Sequence, residues 1–156
     1  MPVIELGEII DAVEATISTA AGIKRAQSYD ELTEQIPRGD LPLIQVWAQD
    51  CRCDPSTGGT ERITMGGGGN PRRIKYVTVN ADLYAKVRGN IGEDMQKSVE
   101  MIDAIMDVLE AQNTAPFFGL GVDHIKAFDW RWDWMVLTYG GAEYSGARFQ
   151  LELKLF

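Results

Sequence analysis

Three groups of residues in this chain have the types and spacing for chemistry. The first lies in "TERITMGGGGNPRRIKY", residues 60 to 76, where Met65, Gly66, Gly67, Gly68 and Gly69 precede Asn70, Pro71, Arg72 and Arg73. Consecutive glycines followed by cations suggest a cradle of backbone N–H groups around a phosphate. A phosphate loop of the Walker type needs Gly-Lys-Ser/Thr at its end and a helix N-terminus to receive the anion. Here the run ends in Asn-Pro and leads into an alternating apolar pattern, so a strand follows rather than a helix. What four glycines supply physically is backbone freedom. The stretch therefore reads as a flexible loop rather than a nucleotide site.

The second group is Cys51, Cys53 and His124. Thiolate and imidazole are zinc ligands, but a single histidine far from the cysteines does not group them into a site. A disulfide across one intervening residue is strained, so the pair reads as plain thiols in a reducing compartment. The third group is "FDWRWDWMVLTY", residues 128 to 139. Alternation places Phe128, Trp130, Trp132, Trp134 and Val136 on one strand face, with Asp129, Arg131 and Asp133 on the other. The tryptophans could stack bases or sugars. The plainer expectation is a sheet face buried beneath a helix, with Trp134 innermost and the outer member covered by a neighbouring subunit. Asp129 and Asp133 flanking Arg131 read as a charge-balanced surface or interface patch. One histidine and no serine in an elbow motif leave little from which to build a reaction. A non-enzyme without metal or cofactor is expected.

These residues have to be positioned by regular elements. Ile4, Ile9, Ile10, Val13 and Ile17 recur at helical spacing and predict a helix over 4–21 with Gly22 as its stop. Ser28 and Glu31 have the spacing of a capping box, which predicts a short helix from Tyr29 to about Gln35. "RGD" at 38–40 reads as a turn. "LPLIQVWAQ", 41–49, predicts a strand, with Pro42 at an edge or a first-residue position. From Asp50 to Arg73 the pattern gives way to Cys, Pro, Gly, Ser and Thr, a long inter-strand loop broken only by "ERITM". "RIKYVTVNADLYAKV" alternates again, with Val77, Val79, Ala81, Leu83 and Ala85 on one face, and predicts a central strand. Asn90 and Glu93 open a helix over about 91–110, with Ile91, Met95, Val99, Ile102, Ile105, Met106 and Leu109 as its buried stripe. A hairpin of "FDWRWDWMVLTY" and "ARFQLELKLF" closes the chain. The order predicts a single α+β domain over 1–156: a mainly antiparallel sheet of about four or more strands against the long helix and the N-terminal helix.

Bulk composition narrows the partners. With 156 residues the chain has the size of one domain with its own core. No apolar run approaches the roughly 20 residues of a membrane span, and acids in the first residues exclude a secretory signal. A net charge of −8 with scattered basic residues repels duplex DNA, and such a surface lets DNA slide past without sticking.

The element order resembles the tail terminator (tail completion) proteins of long-tailed bacteriophages, of the lambda-like minor tail protein type. The resemblance is carried by "IELGEIIDAVEATI", by "IPRGDLPLIQVWAQ" and by "YVTVNADLYAKVR". It continues through the helix "NIGEDMQKSVEMIDAIMDVLE" and the hairpin "DWRWDWMVLTY…RFQLELKLF". It spans nearly the whole chain by order of elements and rests on no diagnostic motif. The loop from about Asp50 to Arg73 is longer and richer in glycine than the family pattern.

The resemblance implies a homo-oligomeric ring, a hexamer, that caps the finished tail tube. It implies contact with the tube protein and with a head–tail connector or neck protein, in the virion after assembly in the host cytoplasm. DNA passes through such a ring without specific binding. On this reading Met65, Gly66, Gly67, Gly68, Gly69, Arg72, Arg73, Asp129, Arg131 and Asp133 are the contacts to subunits or tube. Two other functions stay open: a head–tail joining protein of the same broad type, and a small ligand-binding or enzymatic domain using the tryptophan face.

Overall fold

A computed structural model describes residues 5–28, 34–53, 62–63, 72–73, 75–114, 116–120 and 124–155. The expected short helix at 29–35 lies largely outside these residues, with Glu34 and Gln35 in a bend. Ser28, expected to cap that helix, donates its hydroxyl to Asp11 at 3.1 Å.

Helix α1 spans Leu6–Ile17 and buries Ile9, Ile10, Val13 and Ile17 at the predicted spacing. Its first turn is held by the Glu5 N–H donating to the Glu8 carboxylate at 3.0 Å, a capping box in which both partners are acids. It is shorter than predicted. Ser18 and Thr19 turn their hydroxyls onto the carbonyls of Ala15 and Thr16 at 2.7 and 2.6 Å, taking acceptors that a longer helix would use. Gly22, at φ +88°, then reverses the chain where a side chain would be strained.

A three-residue strand β1 (Arg25–Gln27) follows, and Arg38–Asp40 forms the expected turn as one 3-10 turn, tied back by an Arg25–Asp40 ion pair of 2.9 Å. Strand β2 is Leu43–Cys53, β3 is Arg62–Ile63, β4 is Arg72–Arg73 and β5 is Lys75–Val87. Helix α2 is Ile91–Ala111; β6 (Ile125–Tyr139) and β7 (Ala142–Leu155) form the closing hairpin. Five strands join in the order β1-β2-β5-β7-β6, antiparallel except for the parallel β1–β2 pair, while β3 and β4 pair only with each other. The fold is α+β, with β5 central as its alternation predicted.

Strand β2 differs from expectation at both ends. Pro42 immediately precedes its first residue, but β2 is interior, because the short β1 takes the edge. The strand also runs on through "DCRC": after a shift at Ala48/Asp50, Cys51 faces Val77 and Cys53 faces Lys75. Cross-strand side chains hold this polar extension. Arg52 stacks 4.5 Å over the Tyr76 ring and pairs with Glu152 at 2.9 Å.

The helices cover one face of the sheet. Helix α1 packs on β2, and α2 packs on β5 and β7. The shared core takes Val77, Val79, Ala81 and Leu83 from β5 and Phe149, Leu151 and Leu153 from β7. Asn90 caps α2 by accepting from the Gly92 and Glu93 N–H groups at 2.9 and 3.4 Å. The reciprocal arm of the predicted box is diverted, because the Glu93 carboxylate takes Lys86 at 3.1 Å.

The stripe that α2 buries matches the predicted one from Ile102 through Ile105 and Leu109 but departs from it in the first turns. Asp94, Ser98, Met101, Ile102, Ile105 and Leu109 are buried, whereas Met95 and Val99 are about half exposed. Small polar contacts set this rotation. Ser98 lies 3.4 Å from the Ser145 hydroxyl, and Asp94 accepts from the Gly89 N–H at 2.8 Å. On the opposite sheet face Ile36, Leu43, Tyr84, Leu137 and Tyr144 form a small second cluster. Tyr84 meets Tyr139 and Tyr144 edge-on at 5.6 and 5.5 Å. Burial, reinforced by Asp82, holds the Tyr84 phenol above its ordinary range, as suits a packed ring.

Candidate functional site

Strand β6 carries the functional interest, because it is the long open edge of the sheet. Its helix-side face begins covered: Phe128 packs against Phe117 and Phe118 with ring centroids 5.3 and 4.8 Å apart. Trp130 is still partly buried against the core. Beyond it, Trp132 and Trp134 are each 38% exposed and Val136 is 48% exposed. The expectation that Trp134 is innermost is wrong. Register explains why. Trp132 pairs with Phe149 and Trp134 with Ala147, both fully buried beneath α2, but β6 lies one strand further out than the helix reaches.

Helix α2 adds to this open face. Met95, Val99 and Met106 fall on one flank by helical spacing. The same flank continues to Glu110, which lines a shallow groove with Phe128 and Trp130. Exposed apolar residues are thus present on both the outer part of β6 and one flank of α2. Large exposed apolar surfaces of this sort mark interaction sites, and the outer side of a 15-residue edge strand, which pairs with no other strand among the described residues, is a ready template for pairing.

The opposite face of β6 holds Asp129, Arg131 and Asp133, all exposed. Arg131 does not balance its flanking acids as expected. Its guanidinium Nε donates to Gln150 at 2.8 Å, across the strand pair. Gln150 passes the network on, donating to Gln49 at 2.8 Å, which also accepts from Asn80 at 3.0 Å. Beside it the buried Asp82 carboxylate accepts from Arg148 at 2.7 Å and from the Trp47 indole at 2.9 Å. Sequence reasoning did not single out Asp82 or Asn80. Their signal was visible as polar positions that alternate with the apolar residues of β5. A basin of about 400 Å³ over this face is lined by Thr78, Asp129, Trp130, Arg131, Gln150 and Glu152. The network is incomplete, because the buried Asn80 Oδ1 has no hydrogen-bond partner, and the groups lining the basin include no nucleophile paired with a base.

The glycine-rich segment is only partly placed. Met65 and Gly66 to Gly69 lie outside the described residues. Arg72 and Arg73 form β4, with Arg72 opposite Ile63 and Arg73 opposite Arg62, so these two residue pairs form a ladder apart from the main sheet. The element after the glycines is a strand, which lacks the helix N-terminus a phosphate loop requires. Cys51 is exposed and free. Among the described residues no group of three or more His, Cys, Asp or Glu is arranged to hold a metal. Among them, too, no helix is long and apolar enough to cross a membrane.

One concavity was not anticipated. A cleft of about 730 Å³ lies where the α1–β1 turn, the turn before β2, the end of β5 and the start of α2 meet. Leu41, Pro42, Ala85 and Val87 supply its apolar lining, and Lys24, Arg38, Lys86 and Lys97 its cations. Comparison with protein-family models and with curated proteins finds no match to this chain.

Proposed function

We propose that this chain is a ring-forming structural subunit of a phage tail, a tail terminator that caps the tube and joins it to the head. The observation that carries the reading is the β6 edge, with its open backbone and the exposed Trp132, Trp134 and Val136. A chain left alone with such an edge is an aggregation hazard, and closed assembly covers it. The order of elements, which resembles that family's, points the same way. The net charge of −8 suits a ring through which DNA passes unheld. On this reading the ring is a homohexamer of the virion tail or neck, touching the tube on one side and a connector protein on the other. A head–tail joining subunit of the same type would use the same surfaces.

A second reading has its own observation. The cleft of about 730 Å³ has the size and mixed lining of a small-molecule site, which suits a ligand-binding α+β domain. Particle mass separates the two. The purified chain, measured alone at high concentration and mixed with tail tubes, should appear as closed rings in solution or at tube ends. Monomers in both samples would defeat the ring reading.

A further inference from the structure

We infer that the tryptophan edge of one subunit seats in the cationic cleft of the next. This rests on the ring reading above and gives that ring its interface. The first half of the contact is Trp132, Trp134 and Val136, half-exposed on the helix side of β6. The exposed side of α2 beside it carries Glu100, Asp103, Asp107 and Glu110, so the apolar ridge has an acidic border.

The second half is the cleft. Its floor is Leu41, Pro42, Ala85 and Val87. Lys86 is already neutralised by Glu93 at 3.1 Å and Asp94 at 3.5 Å. Lys24, Arg38 and Lys97 have no carboxylate within ion-pair distance among the described residues. In a chain carrying 23 acids against 15 basic residues, three such cations around one apolar floor reverse the general sign of the surface. Apolar floor with basic rim is the complement of apolar ridge with acidic border. Buried aromatic anchors inside a charged rim are the usual division of labour in an interface.

The two halves also lie on opposite sides of the subunit. Strand β6 is one edge of the sheet. Lys24 leads into β1 at the other edge, and Arg38 to Pro42 lead into β2, with β5 and β7 in between. A patch that fits a different patch across the same subunit cannot form a two-fold dimer. It repeats head to tail, and closes into a ring where the rotation permits. The occupant is therefore a second copy of this chain.

Charge exchange between two variants tests the contact. One variant has its cleft reversed by Lys24→Glu with Arg38→Glu; the other has its acidic border reversed by Asp103→Lys with Asp107→Lys. All four residues are exposed, and circular dichroism checks that each variant folds. Mass photometry then follows assembly against concentration, at low and high salt. The parent should associate, more weakly as salt rises. Each variant alone should need about tenfold more protein or above, because like charges then face each other. An equimolar mixture should assemble again, since the acidic border meets the unaltered cleft and the basic border meets the reversed one. Recovery only in the mixture supports the contact. A cleft-reversed chain that assembles like the parent overturns it, and so does a mixture that stays monomeric; both leave the ring reading standing. A parent that is monomeric at every concentration also overturns the contact, and the ring reading then falls only if tail tubes carry no ring either.

Discussion

Replacing Gly146 by alanine should unfold much of what holds the β6 edge in place. Gly146 sits in β7 opposite Tyr84, where β5 carries an extra residue between its pairings at Tyr84 and Lys86. That bulge bends the β5 backbone toward the glycine. An added Cβ would overlap the Leu83 carbonyl oxygen and stand 2.8 Å from its carbon, with the Ala85 nitrogen at 3.5 Å. No flexible side chain is available to move aside. The obstacle is the backbone of the central strand, hydrogen-bonded to β2 on one side and β7 on the other.

Overpacking a core costs about 1–3 kcal/mol when side chains can adjust, and more when they cannot. A loss of about 3 kcal/mol or more is expected here, a large part of the roughly 5–15 kcal/mol that holds a domain together. At about 2–4 °C per kcal/mol for this size, the melting temperature should fall by about 6–12 °C. Urea unfolding followed by tryptophan fluorescence measures it. Gly39→Ala is the control, since a Cβ there meets nothing within 4 Å, and it should leave the midpoint unchanged. Because β6 pairs only with β7, the surviving fraction of the Gly146 variant should also assemble poorly. A Gly146→Ala chain with the parent's midpoint and slope would refute the bulge argument.

Three further outcomes are expected. Replacing residues 54–74 with a short Gly-Ser turn should barely move thermal unfolding, because Cys53 and Lys75 already face each other and closure changes by about 0.6 kcal/mol per doubling of length. The same variant should fail to cap tails, and tails completed at the parent's yield would end the reading of this loop as a contact. Cys51→Ser should change stability by less than about 0.5 kcal/mol, as exposed positions usually do, and adding Cys53→Ser should leave the chain folded; release of a metal on denaturing the parent would contradict it. Duplex DNA should pass a filter-binding assay unretained at physiological salt, given the charge of −8, and tight retention would remove the sliding-surface idea.

Sequence by itself determined the elements whose signals are local. The alternation of Val77, Val79, Ala81 and Leu83 made β5 a strand and named its buried face, because a pleat repeats every two residues whatever packs on it. Asn90 announced the start of α2, because a cap is satisfied within one turn. The closing hairpin followed from two alternating runs joined by Gly140 and Gly141, both at positive φ. The α+β class followed from the order of these pieces.

Tertiary structure decided what depends on neighbours. Strand β1, only Arg25–Gln27, has no period of its own and exists because β2 offers it a partner. The "CRC" run is strand because β5 continues opposite it. Met95 and Val99 satisfy a helical stripe as well as Met101 does, and only the seating of Asp94 and Ser98 on the sheet chose between them. Trp132 and Trp134 alternate as regularly as any core residue. Their exposure was fixed by the width of the helical layer, which spans β5 and β7 and stops one strand short of β6. A periodic pattern says which side chains share a face; which faces are covered is settled by elements far away in sequence, and the uncovered one is where this chain has a surface to offer.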